Sequence, residues 1–344
     1  MSLIAYFRCD VGIDHGLGHF SRCLRLAEYL RKNKVKSIFF CNYSSKKFLS
    51  KKKYKNIRIT YLNVSPFSEK EINFFFKKKN SKKKILFFID SKKPINRYVK
   101  RINDNFFTIC FDDEKYRNLP CNILINNNIY ADRQKYKTNK LTNYLIGPKY
   151  NLVENNINKK KITYKIKNII LTFGGEDPRN STLFFLKNLK QILKKYKITI
   201  IIGPVNKHLK SIKSFLSMNK ITHQVIVNPE KIFKYFVKAD LAISAGGVTC
   251  YELLKLGIPT IGVSLNIGQR KILNNLKRLK CINIMNFKKD KKIINKNNKI
   301  TREVINNFRI RKDMSEKSKN IFKNNGLKLL TQNILKFFKE NECK

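Results

Sequence analysis

The sequence predicts an α/β protein of two doubly wound, Rossmann-like domains facing a cleft. Three observations carry this. Short apolar and β-branched runs recur along the 344 residues, helix-like stretches separate them, and the whole series occurs twice around a polar, basic stretch. The length agrees, since domains commonly hold about 100–200 residues. The boundaries read from the chain are a first domain at 1–155, a second at 165–320, and a closing helix or basic tail at 321–344.

In the first series the strands are "LIAYFRC" (3–9), "SIFFC" (37–41), "RITYL" (58–62), "ILFFID" (85–90) and "FFTICF" (106–111). They are continuous apolar runs, as strands buried on both faces of a parallel sheet should be. Between the first two, "FSRCLRLAEYLRK" puts Phe20, Leu24, Ala27 and Leu30 on one helical face. After Tyr150, "NLVENNINKKKITYKIK" turns polar and basic and reads as the linker. The second series runs "NIILTF" (168–173), "ITIIIG" (198–203), "HQVIV" (223–227), "DLAIS" (240–244) and "IPTIGVSL" (258–265). Beyond about Asn286 the chain is Lys/Asn-rich. From Met314 it reads as helical with a break at Asn325-Gly326, where Gly326 suits a helix end or turn.

Charge is the most extreme property: 74 Lys and Arg against 23 Asp and Glu, a formal net charge of +51. Clustered cations bind phosphate backbones. Here the lysines are spread along the chain, in runs such as 51–53, 77–79, 82–84 and 159–161. Lys, Asn and Ile are over-used together, as AT-rich coding produces. A specific nucleic-acid partner is therefore not expected, although the charge favours anionic ligands by long-range attraction. No run approaches the roughly 18 apolar residues of a membrane span. The start, "MSLIAYFRCD", reads as a first strand rather than a signal peptide, which places the protein in the cytoplasm. Eight cysteines form no CxxC pair, which argues against a zinc ribbon and for buried thiols. No metal or cofactor is expected.

Three glycine loops each follow an expected strand: "DHGLGH" (14–19), "FGGEDPRNST" (173–182) and "SAGGVTCYELLKLGIP" (244–259). Glycine permits close approach of backbone to a ligand. A helix starting there points free N–H groups and its positive end at the cleft, which suits phosphate. Each loop by itself is equally well a tight turn. None matches GxxxxGK[ST] or GxGxxG, which disfavours a nicotinamide-dependent oxidoreductase. In the third loop Thr249 lies by the expected first helical turn and offers a hydroxyl to phosphate. Glu252, a turn later, offers a carboxylate to two ribose hydroxyls, or simply complements the helix dipole. "NIGQ" (266–269) adds the amides of Asn266 and Gln269. Asp10, Asp112 and Asp113 end strands, as loop caps or as partners of a histidine or substrate.

The combination "GLGHFSRCLRLAEYL", "FDDE", "CNILINNN", "YLIGPKYNLV", "LTFGGEDPRNST" and "ISAGGVTCYELLKLGIPTIGVSLNIGQ", in this order, resembles the UDP-sugar hydrolases of the pseudaminic acid pathway. These are similar in turn to glycosyltransferases of MurG type, with the GT-B fold. The resemblance covers about residues 3–285. It implies metal-independent hydrolysis at the anomeric carbon of a UDP-linked diacetamido trideoxy altrose, giving UDP and the free sugar. It also implies that His19 is catalytic and that Gly16 and Gly18 shape its loop. Gly174, Gly175, Gly246, Gly247, Thr249 and Glu252 would bound the nucleotide, with Asn266 and Gln269 near the diphosphate or sugar. A histidine titrates near 6.5 and suits a base at neutral pH. The chain departs from the family in two places. Ser91-Lys92-Lys93 stand where the family usually carries an Asp-His-Tyr-like triplet, after the strand that here ends in Asp90, which leaves the sugar open, and "NIGQ" replaces adjacent Asn-Gln. A GT-B glycosyltransferase using a UDP-sugar donor is the alternative function, and a polyanion-binding basic protein the second.

Overall fold

A computed structural model describes residues 2–12, 18–49, 54, 57–79, 83–91, 95–113, 116–137, 139–154 and 161–343. Two compact units result: Met1–Glu154 together with Asn324–Lys344, and Asn155–Lys323.

Unit 1 contains β1 (Ser2–Cys9), α1 (Gly18–Lys32), β2 (Lys36–Asn42), α2 (Lys46–Leu49), β3 (Arg58–Leu62), α3 (Glu69–Lys77), β4 (Lys83–Asp90), α4 (Asn96–Asn103), β5 (Phe107–Phe111), β6 (Ile123–Asn126) and β7 (Asn143–Ile146). The strands form one sheet in the order β3-β2-β1-β4-β5-β6-β7, and every pairing is parallel. Successive side chains alternate between the faces of a strand. Phe7, Phe39 and Phe88 are in register across three strands and stack at 4.8 and 4.3 Å between centroids on one face. That face packs against α1. Tyr6, Phe40 and Phe87 occupy the other face, under α3 and α4. Both faces are buried, which is why these strands read as unbroken apolar runs. On α1 the buried apolar residues are Phe20, Cys23, Leu26, Ala27 and Leu30, and Leu24 is only half-buried.

Unit 2 contains β8 (Asn168–Thr172), α5 (Ser181–Asn188), α6 (Lys190–Leu193), β9 (Lys197–Ile202), α7 (Leu209–Met218), β10 (His223–Val227), α8 (Phe233–Phe236), β11 (Leu241–Ala245), α9 (Val248–Leu256), β12 (Thr260–Val263), α10 (Ile267–Arg278), β13 (Ile282–Met285), α11 (Lys291–Asn306) and α12 (Phe308–Ile321). Its sheet order is β10-β9-β8-β11-β12-β13, again all parallel. Ile169, Leu171, Ile198 and Ile243 pack with α5, α7 and α11 on one face. Ile170, Ile201 and Ala242 pack with α8 and α9 on the other.

Both orders reverse once, between β1 and β4 and between β8 and β11. In doubly wound sheets ligands sit at that reversal, outside the carboxyl ends of the strands. The last helix, α13 (Gly326–Glu342), belongs to unit 1, where Leu327, Leu330, Ile334 and Phe338 join the aromatic face. The break at Asn325-Gly326 is thus the start of a helix rather than an end. The Lys328 backbone N–H donates to Asn325 Oδ1 at 3.1 Å as an N-cap. Gly326 is required by packing: a Cβ there would lie 2.2 Å from the Asn151 carbonyl oxygen.

Candidate functional site

Unit 1 assembles a charged network at its strand reversal. His19 and Arg22 lie one turn apart on α1 and share a side of the helix. Asp90 ends β4, and Asp113 lies two residues beyond β5. His19 Nδ1 is 2.6 Å from Asp90 Oδ1. Arg22 Nε donates to Asp90 Oδ2 at 2.6 Å, and its Nη2 donates to Oδ1. The same guanidinium donates to both oxygens of Asp113, at 2.7 and 2.8 Å, and lies over the Phe111 ring. The Cys23 thiol adds a bond to Asp90 Oδ2 at 3.3 Å, and burial pushes that thiol up to about 11.

The protonation pattern follows from these contacts. Burial by itself raises the Asp90 carboxyl, but Arg22 and then His19 more than offset it, so it stays well below the usual carboxylate range. An ionised carboxylate only accepts hydrogen bonds. With Nδ1 protonated, His19 donates to Asp90 and Nε2 is the basic nitrogen; Arg22 Nη2, 3.2 Å from the same Nδ1, is itself only a donor and accepts nothing from it. Two carboxylates and one guanidinium sum to one negative charge, which a second proton on the imidazole neutralises. This is the arrangement a general base needs, with a carboxylate fixing the tautomer and stabilising the imidazolium.

A second network lies beside the first. Arg8, fully buried on β1, donates to Glu71 at 2.8 Å and to Asp10 at 3.1 Å. Tyr98 also donates to Glu71, at 2.7 Å, and the Ser91 hydroxyl donates to Asp10. Asp112 accepts from Arg117 at 3.0 Å and from Tyr136 at 2.9 Å. Of the three strand-end acids, then, Asp113 joins the histidine network through Arg22, while Asp10 and Asp112 hold other cations. Gly18 opens α1, and among the described residues, its chain neighbours and its own helix backbone aside, nothing lies within 4 Å of where its Cβ would be. Gly16 lies outside the described residues, as do Lys92 and Lys93. His19, Asp90 and Asp113 offer metal-ligand atoms within 4.8 Å of one another. Arg22 already engages both carboxylates, so the donor set does not fit a resident cation.

Unit 2 places its loops at the β8/β11 reversal, and their glycines differ in purpose. Gly174 has φ +91, a left-handed conformation that disfavours a side chain. Gly246 is a packing glycine, because its Cβ would lie 2.6 Å from Leu273 Cγ. At Gly175 and Gly247, chain neighbours aside, nothing among the described residues lies within 4 Å of where a Cβ would stand, so a ligand can approach from that side, although the Gly175 backbone also packs closely on Gly203. The helix starts also differ. At α5 the carboxylate of Asp177 accepts from the N–H groups of Ser181 and Thr182, at 2.7 and 2.9 Å, so that helix start is filled. At α10 Asn266 Oδ1 accepts from Gln269 N–H at 2.9 Å, and Gln269 Oε1 accepts from Leu265 N–H at 3.0 Å. Both amide oxygens therefore cap the helix, and the amide NH2 groups are what these residues can offer a ligand. Only α9 of these three starts on a glycine, Gly247, with no side-chain cap. Thr249 stands in its first turn. Glu252 is 2 % exposed in the second turn, beyond the first turn where the dipole acts.

Residues 147–330 match the glycosyltransferase family 28 C-terminal domain, more than half of the chain. The chain belongs to glycosyltransferase family 28. This family 28 chain is 25 % identical over 263 residues to the spore coat polysaccharide biosynthesis protein SpsG of Bacillus subtilis, covering 74 % of this chain and 75 % of that protein. It is 25 % identical over 277 residues to an uncharacterized protein of Methanocaldococcus jannaschii, covering 76 % of this chain but 56 % of that longer one. Among solved structures it resembles MurG of Acinetobacter baumannii, with a TM-score of 0.68 at 14 % identity, covering 98 % of this chain and 100 % of that one. It also resembles UGT2 of Phytolacca americana, solved with UDP-2-fluoro-glucose and pterostilbene, with a TM-score of 0.65 at 10 % identity and coverage of 98 % and 100 %. The fold is GT-B, as in these glycosyltransferases.

Three members of the unit 1 network were not marked by the sequence as functional: Arg22, Asp90 and Cys23. Arg22 had a local signal, since it lies three residues after His19 on one helix. Asp90 had only its place at a strand end, and its partners lie 68 and 71 residues away. Asp177 was likewise hidden inside a loop read for its glycines.

Proposed function

We propose that this family 28 protein hydrolyses a UDP-linked diacetamido trideoxy sugar at the anomeric carbon, releasing UDP and a free sugar for nonulosonic acid synthesis. The observation that carries the reading is the His19–Asp90 pair braced by Arg22. A water oxygen attacks the anomeric carbon, the bond to the β-phosphate oxygen breaks, and the water proton passes to His19 Nε2. The diphosphate leaves as a stable anion, so a positioned base matters more than an acid. A general base of this kind contributes about 10²–10⁴-fold. For the nucleotide, the uncapped start of α9 at Gly247 supports a diphosphate role for that turn, with Thr249 beside it and the NH2 groups of Asn266 and Gln269 as further donors. Glu252 is assigned to the ribose, which requires the buried carboxylate to become accessible as the nucleotide binds.

Family 28 membership favours a second reading, transfer of the sugar from UDP to an acceptor. Purified protein incubated with the UDP-sugar in heavy-oxygen water separates the two. Label in the released sugar, with turnover lowered about 10²–10⁴-fold in His19→Ala and UDP affinity nearly unchanged, is the result expected. UDP release only on addition of an acceptor rejects hydrolysis, and near-normal turnover of His19→Ala removes the base.

A further inference from the structure

Acids are scarce in this chain, 23 against 74 Lys and Arg. Four of them nevertheless gather at the carboxyl ends of β1, β4 and β5. Three are closed off: Asp112 is 0 %, Asp90 1 % and Asp10 4 % exposed. Asp113 differs, with its side chain 30 % exposed while Arg22 grips both of its oxygens. A carboxylate offers about four acceptor positions and no donor. On Oδ1 two are taken, by Arg22 and by Asn128 Nδ2 at 3.3 Å. On Oδ2 only Arg22 is bound among the described residues, so one acceptor position remains. Burial by itself raises this carboxyl, and Arg22 more than offsets it, so Asp113 is charged at neutral pH. Its ligand atom lies within 4.8 Å of those of His19 and Asp90. A substrate group that meets Asp113 is therefore next to the base.

We propose that Asp113 is a specificity-determining residue of this site: Oδ2 accepts a hydrogen bond from an N–H or O–H on the sugar ring while Arg22 and Asn128 hold the carboxylate still. The proposal rests on the nucleotide-sugar reading, and it is independent of whether the sugar passes to water or to an acceptor. An acceptor-only oxygen selects donors. A sugar lacking the donor leaves a charged oxygen facing the ring unpaired, and such sites discriminate strongly. Because the carboxylate is held from both sides, little ordering is needed when the sugar arrives.

The test is a cycle between residue and ligand, read by calorimetry in a His19→Ala background so that the ligand survives. The ligands are the UDP-linked diacetamido trideoxy sugar and three analogues. Two replace one amide N–H by oxygen, and the third lacks the ring hydroxyl. With Asp113 intact, one analogue should bind about 10- to 100-fold more weakly than the parent. In Asp113→Ala that penalty should shrink to about threefold or less. Asp113→Asn, which keeps the shape, should also reduce it, and guards against loss of folding. A penalty of equal size in both variants, with a uniform loss of affinity for all ligands, shows a merely structural role and overturns the proposal. So does the absence of any penalised analogue. If the nucleotide sugar binds no better than UDP, this proposal and the nucleotide-sugar reading fall together. If the cycle holds but heavy-oxygen label never enters the sugar, hydrolysis alone is rejected.

Discussion

At Asp90, burial and charge pull in opposite directions, and the balance has a measurable consequence. Its carboxyl is held below the usual range by Arg22 and His19 against the cost of burial. A carboxyl depressed in the folded state contributes stability that is fully present above its unfolded pKa, about 3.9. That contribution is lost as the pH falls toward the lower folded value. The thermal midpoint should therefore drop increasingly steeply as the pH falls below about 4, and Asp90→Asn should show a shallower slope over the same window. Equal slopes would mean that other carboxylates set the acid limit. Asp113, depressed in the same direction by the same arginine, adds to the slope in both proteins. His19 was singled out in the sequence by the family resemblance of its "GLGH" loop. Its partners were not, because hydrogen bonds spanning 68 to 91 residues leave no local trace.

Among the elements, α13 shows how packing assigns a segment that composition leaves open. Its Lys- and Asn-rich sequence allowed either a closing helix or a basic tail. Leu327, Leu330, Ile334 and Phe338 follow a helical stripe and bury against the unit 1 sheet. Phe338 meets Phe107 edge-on at 5.2 Å between centroids. The start of α13 is set by the approach of Gly326 to the Asn151 backbone. Gly326→Ala should cost about 1–3 kcal/mol by overpacking, seen as a lower denaturation midpoint. A midpoint equal to that of the unmutated protein would show that the backbone yields freely there. Three strands, β6, β7 and β13, were missed in the sequence: each has only four residues, and unlike the equally short β12 none lies in a longer apolar run. Runs that short are hard to tell from apolar loop residues, and only their parallel neighbours identify them.

Over the whole molecule the net charge of +51 dominates. Like charges at this density repel one another and oppose the compact state. Salt screens the repulsion, with a Debye length of about 10 Å at 0.1 M. The thermal midpoint should rise by several degrees between about 20 mM and about 300 mM NaCl. A fall would mean that specific ion pairs outweigh the general repulsion. Several of the rare acids do not balance lysines: Asp10, Glu71, Asp90 and Asp112 are buried in unit 1, bonded to arginine, histidine or tyrosine. Among the described residues no helix is long and apolar enough to cross a membrane.

By itself the sequence determined the fold class, ten of the strands and the places of the two glycine loops of unit 2. Each of these is written in a short window, as an apolar run, a helical stripe or a turn residue. Tertiary structure alone decided which glycines serve conformation, packing or access, and that the amide oxygens of Asn266 and Gln269 are spent on a helix cap. It also decided that His19 Nδ1 meets Asp90 directly and that one arginine, Arg22, is shared by Asp90 and Asp113. The physical reason is that the identity of a buried ion's partner depends on which strand ends a sheet brings together, and strand order is a property of the folded chain.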